Sequence, residues 1–372
     1  MTKKVKYKIN MRKVFVILLL PVIWACNSKK NDSIVDSFKT IQSLTHKVFE
    51  VQNGSELMDP YNLVVVGNTV NLLNGRAPKY FTTIDITTGR VIKQWGDRGQ
   101  GPNEFLRIMD IYSNYLETGL NIWDNATSKL YFCSDSNLES DYVYFQNIPI
   151  NIEEGMLRYN SVIQIDTFIF FAVGGNNDKL FTLFDTKRNG VKEIGDFPPE
   201  DKNEIKDLPP IFRKTAYNGR IRYNGSLKKL VYVSITSEMF EIYNFDGADV
   251  KLAMGNYSTV PKYEEIARGD TKGVRTSTIN GKGNNRAVTV SDENIFILYQ
   301  DYKRLGMESE DDHKEYADMV LVFDWNGKPI EIYELDCLVQ SIAYDKTTNR
   351  LWAVNYNPDN DWDPEIIYFE LQ

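Results

Sequence analysis

The chain has 372 residues and carries 43 Lys and Arg against 51 Asp and Glu, a formal net charge of −8. That balance excludes a nucleic-acid binder built on a basic footprint. The two histidines, His46 and His313, are far apart in sequence and leave a His-based zinc centre or a Ser-His-Asp triad little to work with, so neither a metal nor a cofactor is expected.

Residues 1–25 read as a secretory signal. Lys3, Lys4, Lys6, Lys8, Arg12 and Lys13 form a basic start without an acid, and an apolar run from Val14 to Ala25 follows. Twelve residues fall short of the roughly 20 that a membrane-spanning helix needs, and the arrangement is that of a cleaved leader. Met11 offers a second start, because the stretch from it to Cys26 is a complete signal by itself. Ile23, Ala25 and Cys26 resemble a bacterial lipobox, which implies that Cys26 is lipidated and becomes the mature N-terminus. Multiple acyl chains hold a protein to a membrane far better than one. The expected protein is therefore an outer-membrane lipoprotein of the cell envelope. Losing the six basic residues ahead of Cys26 takes the net charge to −14. Residues 26–42 are polar and read as a flexible tether.

From about residue 43 the chain reads as one repetitive all-β domain, 43–372. Six strand-turn-strand segments occupy 61–74, 108–125, 161–175, 221–235, 287–300 and 340–357. Five are followed by another hairpin, at 81–96, 129–145, 180–195, 239–255 and 319–335, and the sixth by the lone strand 365–371. Each pairs β-branched and aromatic runs with an Asn, Asp, Gly or Ser turn. Four antiparallel strands repeated six times are the pattern of a six-bladed β-propeller. The sixth unit lacks its outermost strand, and the stretch 43–52 is expected to supply it. A monomer is expected. Cys133 and Cys337 fall in distant units and are read as free thiols.

The segment 96–105, Gly-Asp-Arg-Gly-Gln-Gly-Pro-Asn-Glu-Phe, joins the first unit to the second. It lacks the Gly-Lys-Ser/Thr of a phosphate loop and any βαβ context. It reads instead as a turn from rim to channel, with Phe105 packing between blades and Glu104 bracing the loop. Gly99, Gly101, Pro102, Glu104 and Phe105 resemble an element of NHL-type and TolB-like six-bladed propellers, in particular of Bacteroides-type propeller lipoproteins. That resemblance implies a fold and an envelope location. Other unit junctions keep it loosely, as at Gly195, Pro198 and Glu200.

Candidate ligand-binding residues are Asp97, Arg98 and Arg107 around this loop. The stretch 213–225 adds Arg213, Tyr217, Arg220, Arg222 and Tyr223, where guanidinium forks and aromatic faces suit anionic sugars or carboxylates. Their plainer reading is a set of inter-blade ion pairs and solvated surface. Residues 267–287 read as a long polar loop, with an Arg-Gly-Asp tripeptide at 268–270. The acidic insertion 307–316 and the aspartates Asp359, Asp361 and Asp363 are weak calcium candidates, since Pro364 stands where an EF-hand loop needs Gly. The favoured reading is a lipid-anchored binding or scaffold module for a glycan, peptide or envelope protein. The alternative is a carbohydrate lyase or hydrolase at the channel mouth, with its catalytic residues unassigned.

Overall fold

The computed structural model describes residues 33–52, 57, 59–101, 104–140, 146–148, 159–174, 178–199, 201, 210–268, 271–277, 282–308, 316–356 and 363–371. The chain from Ser33 onward is one compact unit. Its strands form six blades in the order foreseen. Blade 1 comprises Pro60–Val66, Thr69–Asn74, Lys79–Asp85 and Val91–Arg98. Blade 2 comprises Ile108–Ser113, Gly119–Asp124, Lys129–Ser134 and Gln146–Ile148. Blades 3 and 4 run Tyr159–Asp166, Ile169–Gly174, Phe181–Asp185, Gly190–Ile194 and Gly219–Asn224, Lys229–Ser234, Phe240–Phe245, Val250–Asn256. Blade 5 is Gly283–Val290, Asn294–Asp301, Ala317–Asp324 and the first part of Pro329–Asp345. The second part of that long strand opens blade 6, followed by Arg350–Tyr356 and Pro364–Glu370.

The near-continuous apolar strands have a geometric cause. Successive strand side chains point to opposite faces, and here each face meets a different neighbouring blade. Val64 and Val66 join the core shared with blade 2, whereas Leu63 and Val65 join the core shared with blade 6. In blade 5, Ile295, Ile297 and Tyr299 pack toward blade 4, and Phe296 and Leu298 toward blade 6. In blade 6, Leu351 and Ala353 turn to blade 5, and Trp352 and Val354 to blade 1. A fifth core joins blades 2, 3 and 4 around Trp123, Phe171, Phe181, Tyr232 and Tyr243. Every blade is thus packed against the next, including the sixth against the first.

The turns explain the recurring aspartates. Asp85 accepts from the amides of Thr87 and Thr88 (2.8 and 2.7 Å), Asp185 from Lys187 and Arg188, Asp246 from Ala248 and Asp249, and Asp324 from Asn326 and Lys328. Each closes the last hairpin of its blade by capping its own turn. Blade 2 departs from this. Ser134 stands at that position and caps a short helix, Asp135–Glu139, through its side chain. The outer strand of blade 2 is consequently displaced to Gln146–Ile148 rather than forming the direct hairpin expected over 129–145.

Three other segments differ from the sequence reading. The stretch assigned to a tether is folded from Ser33. A 3-10 helix, Ile34–Ser37, buries Ile34 in the core between blades 4 and 5, and the Ser33 hydroxyl donates to buried Glu238 (2.8 Å). Strand Ile41–Leu44 then pairs in parallel with Ile332 to Leu335 at the edge of blade 5, and Lys47–Val48 pairs antiparallel with blade 6, Lys47 opposite Tyr368. The N-terminal segment therefore supplies the missing outer strand of blade 6. The polar stretch after blade 4 is a hairpin, Tyr263–Arg268 with Thr271–Thr276. Residues 213–216 lie on a helix, Pro210–Ala216, not on a strand approach. Gly269 and Asp270 of the tripeptide, residues 309–315 of the acidic insertion with His313, and residues 357–362 with Asp359 and Asp361 lie outside the described residues.

Candidate functional site in the central channel

The first strand of every blade contributes to one central cavity of about 610 Å³. On Gly219–Asn224, alternation places Arg220 and Arg222 on one side, while Ile221 between them is fully buried on the other. Arg222 reaches across to blade 2, where its two terminal nitrogens donate to the two oxygens of Asp110, both at 3.1 Å. Ser161 of blade 3 donates to the same carboxylate (2.6 Å), and the Arg220 side chain lies 3.7 Å from it. Asp110 is completely buried. An ionised carboxylate is tolerated at such depth only with this density of donors. Tyr61 of blade 1 stands near the same group, and burial pushes its phenol up to about 12, an effect that the positive charge of Arg220 opposes.

A second cluster spans the cavity where the first strands end. Tyr115 of blade 2 donates to Asp292, which follows blade 5's first strand (2.6 Å), and Lys346 of blade 6 pairs with the same carboxylate (2.5 Å). Hydrogen bonds from Lys346 and Tyr115 hold Asp292 below the usual carboxylate range. Asn224 of blade 4 adds donors to the Ser291 and Asp292 carbonyls (3.3 and 2.9 Å). Four blades meet in this bridge.

The charged residues of the cavity wall are Arg220, Arg222, Arg286 and Lys346 against Asp292 and Asp345. Counting Asp110, which pairs with Arg222 and Arg220 from behind the wall, four cations face three carboxylates, and in a chain of net charge −8 that local excess favours an anion. The wall carboxylates are engaged: Asp292 as described, and Asp345 with the Thr347 amide (2.8 Å) and the Thr348 hydroxyl (2.5 Å).

Of the eight candidate ligand residues, Arg220, Arg222 and Tyr223 line the cavity. The others do not. Asp97 pairs with Lys79 (2.5 Å). Arg98 lies over the Tyr80 ring (3.8 Å) and donates to the carbonyls of Asn74, Gly75 and Ala77, so it braces a loop of its own blade. Arg107 is exposed, and its backbone amide donates to Asp124. Arg213 pairs with Asp201 (2.9 Å) and covers Phe197 (3.9 Å). Tyr217 is fully buried, edge-on to Phe197. Neither Arg213 nor Tyr217 is part of the cavity wall. Conversely, Tyr61, Arg286 and Lys346 were not singled out in the sequence. The repeat contained the signal for Arg286. Counted from the glycine that starts each first strand, Gly219 and Gly283, Arg222 and Arg286 both stand three residues on.

In the joining loop, Glu104 accepts from the Gly101 amide (2.7 Å), and Glu104–Phe105 pairs in parallel with Asp97 and Arg98. A Cβ on Gly99 would lie 2.0 Å from the Glu104 carboxylate. Phe105 is buried between Phe81 of blade 1 and Tyr131 of blade 2. Pro102 lies outside the described residues.

The family model described as TolB-like 6-blade propeller-like matches residues 36–347. Among solved structures, a member of the DUF4221 family from Bacteroides vulgatus is similar at 13% identity, with a TM-score of 0.54, over 89% of this chain and 99% of that one. A Bacteroides fragilis protein described as exported is similar at 11% identity and a TM-score of 0.51, over 89% and 99% of the two chains. At such identities the likeness concerns the fold alone. No curated protein matches the sequence.

Proposed function

For a chain that belongs to the TolB-like six-bladed propeller family, we propose a lipid-anchored envelope module that takes an anionic ligand, a carboxylate-bearing glycan, into its central channel. The observation that carries this reading is the basic wall formed by Arg220, Arg222, Arg286 and Lys346 around a cavity large enough for a sugar unit. Guanidinium forks suit carboxylates, and Tyr112, Tyr115 and Tyr223 add aromatic surface for sugar rings. Anchoring through Cys26 would hold the module at the membrane while the channel samples solvent.

Titration calorimetry with uronic-acid oligosaccharides against neutral ones of equal length tests the ligand class. Arg220→Ala and Arg286→Ala are each expected to weaken uronate binding about tenfold, the loss of one charge-assisted contact. Binding of neutral and acidic sugars alike, or indifference to both substitutions in proteins with unchanged melting curves, would remove the basis for the reading. Metabolic labelling with palmitate tests the anchor: Cys26→Ser is expected to abolish it and release the protein from membranes.

The enzymatic alternative has one observation in its favour, the Tyr61 phenol beside Arg220, a pairing suited to proton abstraction next to a carboxylate. The phenol is held at about 12, which keeps it protonated at neutral pH and works against a basic role.

A further inference from the structure

The N-terminal segment steps from blade 5 to blade 6. Strand Ile41–Leu44 lies along blade 5 and Lys47–Val48 along blade 6, so Thr45 and His46 make the step. The long strand Pro329–Asp345 makes the same step. Its pairing with blade 5's third strand runs to Glu334, breaks at a register shift and resumes at Val339, opposite Ala317, where its pairing with blade 6 also begins. Asp336 and Cys337 fall in between. The two crossings lie side by side: the His46 amide donates to Asp336 Oδ1 (3.1 Å), and the His46 ring Nδ1 is 2.8 Å from the same oxygen.

We propose that His46, Asp336 and Cys337 form a binding site for a divalent ion of the Zn²⁺ type, which clips the N-terminal segment onto the junction of blades 5 and 6. A ring nitrogen, a carboxylate oxygen and the Cys337 sulfur all lie within 4.8 Å of one another. Nitrogen, oxygen and thiolate donors are those that Zn²⁺ accepts, and three protein ligands plus a water complete its tetrahedron. At metal–ligand distances of about 2.0–2.3 Å, neighbouring ligands stand roughly 3.6 Å apart, so side-chain rotations of about an ångström close the site. His46 and Asp336 are 27% and 36% exposed, which leaves the ion a path in. The edge-on contact of the His46 ring with Phe369 restrains the imidazole.

On binding, the Cys337 S–H bond breaks, its proton leaves to water, and the sulfur's electron pair forms the bond to the metal; no electron transfer is involved. His46 coordinates through the lone pair of one ring nitrogen.

The test uses the full chain, stripped with chelator and titrated with Co²⁺ and then Zn²⁺. The expected result is one Co²⁺ per chain with a thiolate-to-metal charge-transfer band, displaced by Zn²⁺, and a melting temperature raised by saturating Zn²⁺. Cys337→Ser is expected to lose the band, and His46→Gln to weaken Co²⁺ affinity at least about tenfold. Absence of the band, or both variants binding as the parent does, overturns the proposal. If Cys337→Ser melts at the same temperature as the metal-free parent, its loss of the band reports coordination rather than misfolding. If it melts lower, the His46→Gln affinity decides: an unchanged value overturns the site.

Discussion

Asp110 shows how a single buried charge organises the channel. Arg222, Ser161 and Arg220, from two other blades, converge on it. Truncation is expected to cost more than the bonds themselves, because Arg222 would keep an uncompensated charge in a half-closed site. Asp110→Ala is predicted to destabilise by about 3–5 kcal/mol, read from denaturant unfolding; a loss below about 1 kcal/mol would show that solvent already screens the pair. Glu238 is a second buried carboxyl, and its effect is read through pH. It is fully buried beneath Ser33 and Tyr299, and burial raises its carboxyl above the ordinary 4.5. The folded state therefore holds this proton more tightly than the unfolded chain does. Its contribution is present below the ordinary value and is lost as pH rises through the folded one. Glu238→Gln keeps acceptors for both hydroxyls without the charge. Its melting temperature relative to the parent is expected to rise between about pH 4 and pH 7; a constant difference would refute the assignment. Gly96 is a third case. With φ of +80° and a would-be Cβ 2.8 Å from the Phe81 ring, Gly96→Ala is expected to cost about 1–3 kcal/mol by the same unfolding measurement. Gly195 repeats the arrangement in blade 3 against Phe181, so it is the aromatic stack of the blade, more than the joining loop, that demands glycine.

At the scale of elements, the N-terminal segment has the most consequence. It adds an edge strand to blade 5 and the outer strand to blade 6, and it buries Ile34 and Leu44 in two different inter-blade cores. A chain beginning at residue 50 would expose two strand edges and lose both anchors. It is predicted to melt at least 5 °C lower, about 3–4 kcal/mol or more for a domain this size, and to associate through the freed edges on size-exclusion chromatography. An unchanged melt would show that inter-blade packing alone holds the ring. The paired hairpins were legible beforehand because strand periodicity and turn chemistry are local. The helix Asp135–Glu139 was not, because the run from Asp135 to Phe145 contains aromatics that read as a continuing strand, while Ser134 caps just as well as it pairs. The hairpin 263–276 was also missed: it is rich in polar residues, and among its described side chains Tyr263 enters a core and Val274 packs against it.

The molecule as a whole adds pairings that join distant parts of the chain. Tyr115 meets Asp292 across 177 positions, Arg222 meets Asp110 across 112, and His46 meets Asp336 across 290. A cation-rich channel predicts that affinity for an acidic glycan falls steeply with ionic strength between about 50 and 500 mM salt, whereas salt-independent binding would point to stacking on the tyrosines instead. The order of amino acids settled how many blades there are, where their turns fall and that the missing edge comes from the N-terminus, because each depends on alternation over a few residues. It also brought Arg220, Arg222 and Tyr223 into view as candidates. Only the closed ring decided that these three face the channel while Arg98, Arg213 and Tyr217 do not. Which residues converge depends on the angle and register at which whole sheets stand about a common axis, and no short stretch of chain encodes that.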